Sequence, residues 1–562
     1  MCQPRPARVF SNPRQLLRVS KPNRATPLAK RMALDIPVPW HWSLAAAIVI
    51  GYPIFYATYN IYFHPLSNVP GPRLWSAFRL RYVWSHLSGN IVQDCDRLHQ
   101  KYGHIVRVAP DEVSFARRDV WTDALVTRQG EPQLSKDPRW WDPLPGLPAV
   151  GIFGAVDADN HARVRKLLSP AFTPRTLVSQ EPILQEYSSL LIKRLREAIT
   201  SNSEKPLNVV EWFNFTTFDM FGDLLFAESF DCLHHSQYHA WIELLFNYTK
   251  STVYAAVPNY YPWLASAFKK LIPASMKKMI QEHHRFIFDR LDRRFKAVDR
   301  PDAMSHIIKQ MGIDKTSVSM NQLCTTVMEL VTAGSETTAT ALAAMVNYLI
   351  HNTDKLETVT AEIRTRFKEE SDIALDALRD EGLYLNAVIN EALRMAPPVP
   401  WLPPRVIPAG GRTICGTYLP ENASLYIPPF IFSSLMFSNS LTKPHLQKTT
   451  LNIQIYLMNR DPQYFHSPNT FLPERWLPEA ATNPNSPFYN DQRQAVQPFS
   501  VGGKACFGQH LAWAEMRLIL ARFLWAFDIE AAKDKEAVVW EDYKVYVFWD
   551  KSPVWVGMKL RD

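Results

Sequence analysis

Cysteine is scarce and scattered in this chain. Its six residues, Cys2, Cys95, Cys232, Cys324, Cys415 and Cys506, form no C-x-x-C pair along 562 residues. That excludes a disulfide framework and a cysteine zinc cluster. No glycine- or serine-rich linker divides the middle of the sequence, so one large domain fits the length as well as several small ones. Residues 1–31 contain no acid but hold Arg5, Arg8, Arg14, Arg18, Lys21, Arg24, Lys30 and Arg31, which account for the whole formal charge of +8. The remainder is neutral overall, which excludes reading the charge as a nucleic-acid footprint.

Charge is also missing from Trp40 to Phe63, apart from His41. The stretch has the ~20 residues a bilayer crossing needs, with Trp and Tyr placed as interfacial anchors. A buried core helix is the other reading of such a run. Residues 32–63 are therefore expected to form a membrane anchor, kinked at Pro53, and residues 64–562 the functional domain. The connector His64-Pro-Leu-Ser-Asn-Val-Pro70-Gly71-Pro72-Arg73 is proline-rich and stiff. Arg73, Arg79 and Arg81 follow it, and the positive-inside rule then puts the domain in the cytosol. The basic leader opposes that orientation. Translation from Met32 removes the conflict; a basic, acid-poor transit peptide is the rival explanation.

Among the cysteines, Cys506 stands in Phe499-Ser-Val-Gly502-Gly503-Lys504-Ala-Cys506-Phe-Gly508, directly before a long apolar helical stretch. Glycine allows a tight turn and close approach to a flat cofactor. The start of a helix brings free N–H groups and positive dipole, which favour thiolate over thiol. A lone cysteine is otherwise a small core residue. The string resembles the heme-binding loop of the cytochrome P450 superfamily, F-x-x-G-x-R/K-x-C-x-G.

Further strings resemble the same family in the same order. Ala333-Gly334-Ser335-Glu336-Thr337-Thr338 is similar to the helix that crosses above the heme. The resemblance implies that Thr337 supplies the hydroxyl and Glu336 the acid of a proton relay to dioxygen, through a local distortion of the helix, with Ala333 and Gly334 leaving room for oxygen and substrate. Glu391-Ala-Leu-Arg394 and Pro473-Glu474-Arg475-Trp476 resemble two segments whose Glu391, Arg394 and Arg475 join in a buried structural ion cluster. Cys506 is then the metal ligand of heme b (iron protoporphyrin IX). Phe499 covers its sulfur, and Gly502 shapes the loop. Lys504, Arg405, His161 and Arg165 match positions that hold the propionates.

The resemblance implies a mainly α fold with small β-sheets, the cytochrome P450 fold, behind an N-terminal transmembrane anchor. It implies a monooxygenase that oxidises a lipophilic small molecule in fungal secondary metabolism, single-pass in the endoplasmic reticulum membrane. The chain carries no flavin or nicotinamide segment, so electrons come from NADPH through a separate NADPH-cytochrome P450 reductase, with the basic face around Arg163 and Lys166 as candidate docking patch. A heme-thiolate isomerase or dehydratase, or an inactive heme-binding protein, shares Cys506. Substrate-facing segments are expected at Leu144–Phe153, Tyr254–Leu264, the helix around Ala333, and Val399–Leu402. Between Ser424 and Asn459 the chain is longer than the family pattern by about 26 residues. The surplus is placed at 429–454 and read either as a translated intron or as a genuine surface insertion.

Overall fold

The computed structural model describes residues 40–127, 130–141, 147–202, 205–261, 264–265, 270–297, 299–313, 318–424 and 447–561. The leader, residues 1–31, lies outside them. The chain divides into two compact units, 1–53 and 54–562. Helix α1 is Trp40–Thr58, with Pro53 inside it. Among the described residues no helix is long and apolar enough to cross a membrane.

The larger unit is built mainly from helices. Those that shape the site are α2 (Ala158–Leu168), α3 (Pro174–Ser201), α4 (Val209–Phe226), α5 (Met320–Ile350), α6 (Tyr384–Met395) and α7 (Gln509–Ala526). Their starts are written in the sequence. Asp157 caps α2 by accepting the Asn160 N–H at 2.8 Å. Thr173 and Thr176 make a reciprocal capping box on α3, with Pro174 at the first helical position. Ser319 caps α5. Helices α4, α5 and α7 are buried on nearly every face. That is the pattern of helices at the centre of a large core. Helix α5 runs along α4 and also meets α6 and α7.

The two larger sheets use strands β1 (Ile105–Ala109), β2 (Glu112–Phe115), β3 (Ser135–Lys136), β4 (Leu207–Asn208), β5 (Leu402–Val406), β6 (Thr450–Ile453), β7 (Phe527–Ala531) and β8 (Trp555–Leu560). The first sheet has the order β1-β2-β6-β5-β3 and the second β7-β8-β4. Strand β6 is parallel to β2, with Thr450 opposite Glu112, and antiparallel to β5, with Leu451 opposite Arg405.

That strand corrects the surplus segment. Residues 425–446 lie outside the described part, but Thr450–Ile453, expected within the surplus, form the middle strand of the sheet and are fully buried. Asn422–Ser424 pairs with Gln447–Lys448. A surplus of the same length set at 423–448 leaves the sheet intact; one at 429–454 removes its middle.

The amino-terminal boundary also shifts. The larger unit begins at Ile54, not His64. Asn60 is buried, donates to the Ala77 carbonyl at 3.0 Å and accepts from Arg107 at 2.7 Å. The proline-rich connector lies on β1: Arg107 N–H donates to the Pro70 carbonyl at 2.8 Å. A Cβ on Gly71 would stand 2.4 Å from the Arg107 carbonyl oxygen, so only glycine fits. Arg79 is not a surface charge. It is buried against Asp111 and Glu112, 2.7 Å from the latter, and so adds nothing to the charge asymmetry expected after the connector.

Candidate heme-thiolate active site

Cys506 lies in a turn that the sequence builds tightly. Its N–H donates to the Phe499 carbonyl at 2.8 Å, which folds the loop back on itself. Gly502 has φ +76°, and a Cβ there would stand 2.1 Å from the Leu125 carbonyl oxygen. Glycine is required on both counts. Helix α7 begins three residues after the cysteine. Cys506 is exposed towards the cavity, and the protein packed around it raises the thiol; the N–H groups of Gly508 and Gln509 and the charge of Arg165 oppose this. Those are the groups that stabilise a thiolate.

The sulfur faces a cavity of about 440 Å³ walled largely by apolar side chains. Helix α5 forms one wall with Leu330, Ala333, Thr337 and Ala341, and Phe499, Phe507 and Leu511 line the cysteine side. His161, Arg165, Arg405 and Lys504 line the same cavity. Arg165 donates to the Ala505 carbonyl at 2.6 Å and Lys504 to the Leu134 carbonyl at 2.9 Å. Arg405 is almost fully buried, and its Nε and Nη1 atoms have no hydrogen-bond partner. Burial lowers Arg405 to about 10, and burial with the Arg405 charge lowers Lys504 to about 8. Burial and then the charges of Lys136, Lys504, Arg165 and Arg405 push His161 down to about 4. A buried concentration of cations needs anions to offset its cost. A flat apolar cofactor bearing two carboxylates fits these donors and the thiol opposite α5.

Sequence reasoning missed Lys136, which also lines the cavity and perturbs His161. It sits on β3 directly opposite Arg405 of β5. No local motif marks it; only the strand pairing brings it there.

The relay residues separate. Thr337 faces the cavity, and its hydroxyl donates to the Ala333 carbonyl at 2.6 Å. Helix α5 is regular through this point, without the expected distortion. Glu336 does not line the cavity. Its Oε1 accepts from Lys551 Nζ at 2.5 Å, and the same ammonium donates to Thr340 at 2.6 Å. The role of Gly334 also differs from expectation. A Cβ there would lie 1.9 Å from the Phe221 ring of α4, so the glycine admits that ring rather than leaving open space.

The ion cluster is assembled. Arg394 makes a two-pronged contact with Glu391 at 2.8 and 2.7 Å, Arg475 Nε reaches the same carboxylate at 3.1 Å, and Trp476 adds an indole N–H at 2.8 Å. Asp491 completes it through Arg475. Glu391, Arg394 and Arg475 are all 0% exposed.

Of the expected substrate-facing segments, residues 142–146 and 262–263 lie outside the described part. Leu147 and Ala149–Gly154, the Ala333 region, Val399 and Leu402 do line the cavity. The Tyr254–Leu264 stretch contributes only Ala255 and Ala256. Tyr260 instead packs in the core, accepting the Trp140 indole N–H at 2.5 Å and lying under Arg79. Phe221, Glu329, Glu515, Val547 and Phe548 were not expected and line the cavity too.

Comparison with known proteins agrees with this geometry. The cytochrome P450 family pattern matches residues 65–433 and 446–544. The chain belongs to the cytochrome P450 family. It is 35% identical over 519 residues to the cytochrome P450 monooxygenase astA of Talaromyces wortmannii, covering 92% of this chain and 96% of that one. It is 35% identical over 518 residues to the trichothecene C-15 hydroxylase of Fusarium sporotrichioides, covering 91% and 96%. It is 36% identical over 509 residues to the averantin hydroxylase of Dothistroma septosporum, covering 90% and 88%. This cytochrome P450 is accordingly a heme-dependent monooxygenase of the fungal secondary-metabolism type. The break in the family match, residues 434–445, falls inside the surplus segment whether it is set at 429–454 or at 423–448.

Proposed function

We propose that this cytochrome P450 hydroxylates or otherwise oxidises a lipophilic small molecule, with Cys506 as the residue that would hold heme b through its sulfur. The observation that carries the reading is the Cys506 thiol, opposite Thr337 across an apolar cavity ringed by His161, Arg165, Arg405 and Lys504. The heme, when bound, supplies the oxidising chemistry, which a thiolate ligand favours. Arg405, Lys504 and Arg165 would neutralise its carboxylates, and His161, held neutral by burial and these cations, would donate a hydrogen bond to them. Phe499 shields the sulfur. The Thr337 hydroxyl, by leaving the Ala333 carbonyl, holds a proton or water at the oxygen side of the cavity. Glu336 acts in that relay once it is released from Lys551. Glu391, Arg394 and Arg475 keep the fold and take no part in the chemistry. Phe221, Leu330, Ala333 and Val399 exclude water and favour an apolar substrate. The hydroxylases of trichothecene and averantin among the relatives support a terpenoid or polyketide substrate class.

The test is the reduced, carbon-monoxide-treated protein. The wild type gives the red-shifted Soret band of thiolate ligation, and Cys506→Ala loses it. A wild type without that band, though folded and loaded with heme, overturns the reading.

Electrons are proposed to come from an NADPH-dependent reductase docking on the outer face of α2, where Arg163 and Lys166 are exposed. Residues 40–63 are proposed to anchor the chain in the endoplasmic reticulum membrane, with the catalytic unit in the cytosol. What supports this reading is the sequence: Trp40 to Phe63 carries no charged side chain apart from His41, with Trp and Tyr at its ends. Carbonate-resistant membrane association that is lost on deletion of residues 1–53 checks the anchor. Mass spectrometry of the native amino terminus checks translation from Met32.

A further inference from the structure

Glu329 is out of place in an apolar stretch. Its helical neighbours Val327, Met328, Leu330 and Val331 are buried core residues, and a carboxylate among them is costly unless its oxygens are satisfied. One loop supplies the partners. Glu329 Oε2 accepts the Phe153 N–H at 2.8 Å. Burial raises the Glu329 carboxyl to about 7, and the N–H groups of Phe153, Gly154 and Ile152, with the charge of Lys136, oppose this. Gly151 lies against it so closely that a Cβ would stand 2.4 Å from Oε2. The loop's carbonyls are held separately. Lys136 Nζ donates to Ile152 at 2.9 Å and to Phe153 at 2.7 Å. Gln322 of α5 donates to Val150 at 3.1 Å. Residues 150–154 all line the cavity.

We propose that Glu329 is a positioning residue that latches loop 150–154 to helix α5, and through that loop sets the size of substrate the chamber accepts. It touches no reacting atom. Its carboxylate fills the space above Gly151 and gathers the loop's N–H groups, so the wall of the chamber has one position. Lys136 and Gln322 hold the carbonyl side of the same loop and cannot replace an acceptor. The inference rests on reading the cavity as the substrate chamber, but its central measurement does not need a substrate.

The heme-loaded full chain is compared with Glu329→Gln, which keeps shape and one acceptor, and with Glu329→Leu, which keeps none. Hydrogen–deuterium exchange is followed in peptides spanning 147–157. Loss of a charge-assisted hydrogen bond is worth about tenfold to a hundredfold in local opening. Glu329→Leu is therefore expected to speed exchange at 150–154 by about tenfold or more, while α6 peptides are unchanged. Spectral titration with imidazole and with 4-phenylimidazole then probes size. Imidazole affinity is expected to hold, and 4-phenylimidazole affinity to shift by about fivefold or more. Glu329→Gln is expected to fall nearer wild type in both measurements. As an independent check, Gly151→Ala disturbs the loop in the wild type but is tolerated beside Glu329→Ala, which vacates the position its methyl needs. Unchanged exchange at 150–154 in Glu329→Leu overturns the latch. Equal shifts for the two imidazoles overturn its role in size selection. A wild type lacking the red-shifted carbon-monoxide band counts against the heme-thiolate reading alone, and the exchange result still decides the latch.

Discussion

Two groups of buried cations in this chain differ in what balances them. Arg394 and Arg475 meet Glu391 and Asp491, and their remaining N–H groups reach backbone carbonyls of Asn459, Pro468 and His466. Arg405, Lys504 and Arg165, with the neutral imidazole of His161, line one cavity, where Arg165 and Lys504 reach carbonyls and the Nε and Nη1 atoms of Arg405 have no hydrogen-bond partner. The first group is complete within the protein. The second is left without a carboxylate partner, as the proposed heme-carboxylate site requires. A sequence motif names both kinds of residue alike; the satisfaction of their hydrogen bonds separates them.

The sharpest break of that contrast is Glu391→Ala. It leaves Arg394 buried without a carboxylate and Arg475 with Asp491 alone, a change that costs about 3–5 kcal/mol. Burial raises the Glu391 carboxyl, but Arg394 and then Arg475 overcome this and hold it below its usual value. The variant is expected to lose soluble, heme-containing protein altogether, read by chemical unfolding and by heme content. If it unfolds like wild type, the cluster does not hold the fold.

Arg405→Leu tests the other side. It removes a guanidinium whose charge the protein does not itself offset, so the heme-free chain is expected to be as stable as wild type or more so. The loaded protein loses a charge-assisted contact to a propionate, about tenfold to a hundredfold in heme retention. Transfer of heme to an excess of apomyoglobin measures this. Destabilisation of the heme-free chain, with retention unchanged, would place Arg405 in the structural group.

How far these features could be read from sequence depends on how local they are. The turn around Cys506 was legible because Phe499, Gly502 and Cys506 are held by contacts within one loop and its immediate packing. The partnership of Glu391 with Arg475 was legible only by resemblance, since 84 positions separate them. Lys136 was not legible, because a two-residue strand beside Arg405 carries no periodic signal. Glu336 shows a further limit: its motif gives a helix position but not the Lys551 that approaches from near the other end of the chain. The surplus misled for a related reason. SLYIP and TTLNI both alternate like a strand, and removing either with its neighbours leaves the same spacing to Arg460-Asp461-Pro462. Only the pairing of Thr450–Ile453 with β2 and β5 decides which one belongs to the sheet.

The smallest effect expected concerns Glu515 of α7, a carboxyl in the cavity wall that belongs to neither group. Both its oxygens are buried; burial raises the carboxyl to about 8, and the nearby Thr338 hydroxyl opposes this. An acid raised in the folded state keeps a proton that the unfolded chain releases above its ordinary value of 4.5. Between that value and about 8 the folded protein binds more protons, so stability falls as pH rises. Glu515→Gln removes the titration while keeping the shape. Between pH 5.5 and 7.5 the wild type is expected to lose about 1–2 kcal/mol relative to this variant, read from paired unfolding curves in the heme-free state. Parallel curves at the two pH values would mean that Glu515 finds solvent or a partner in solution, and would return it to the balanced side of the comparison.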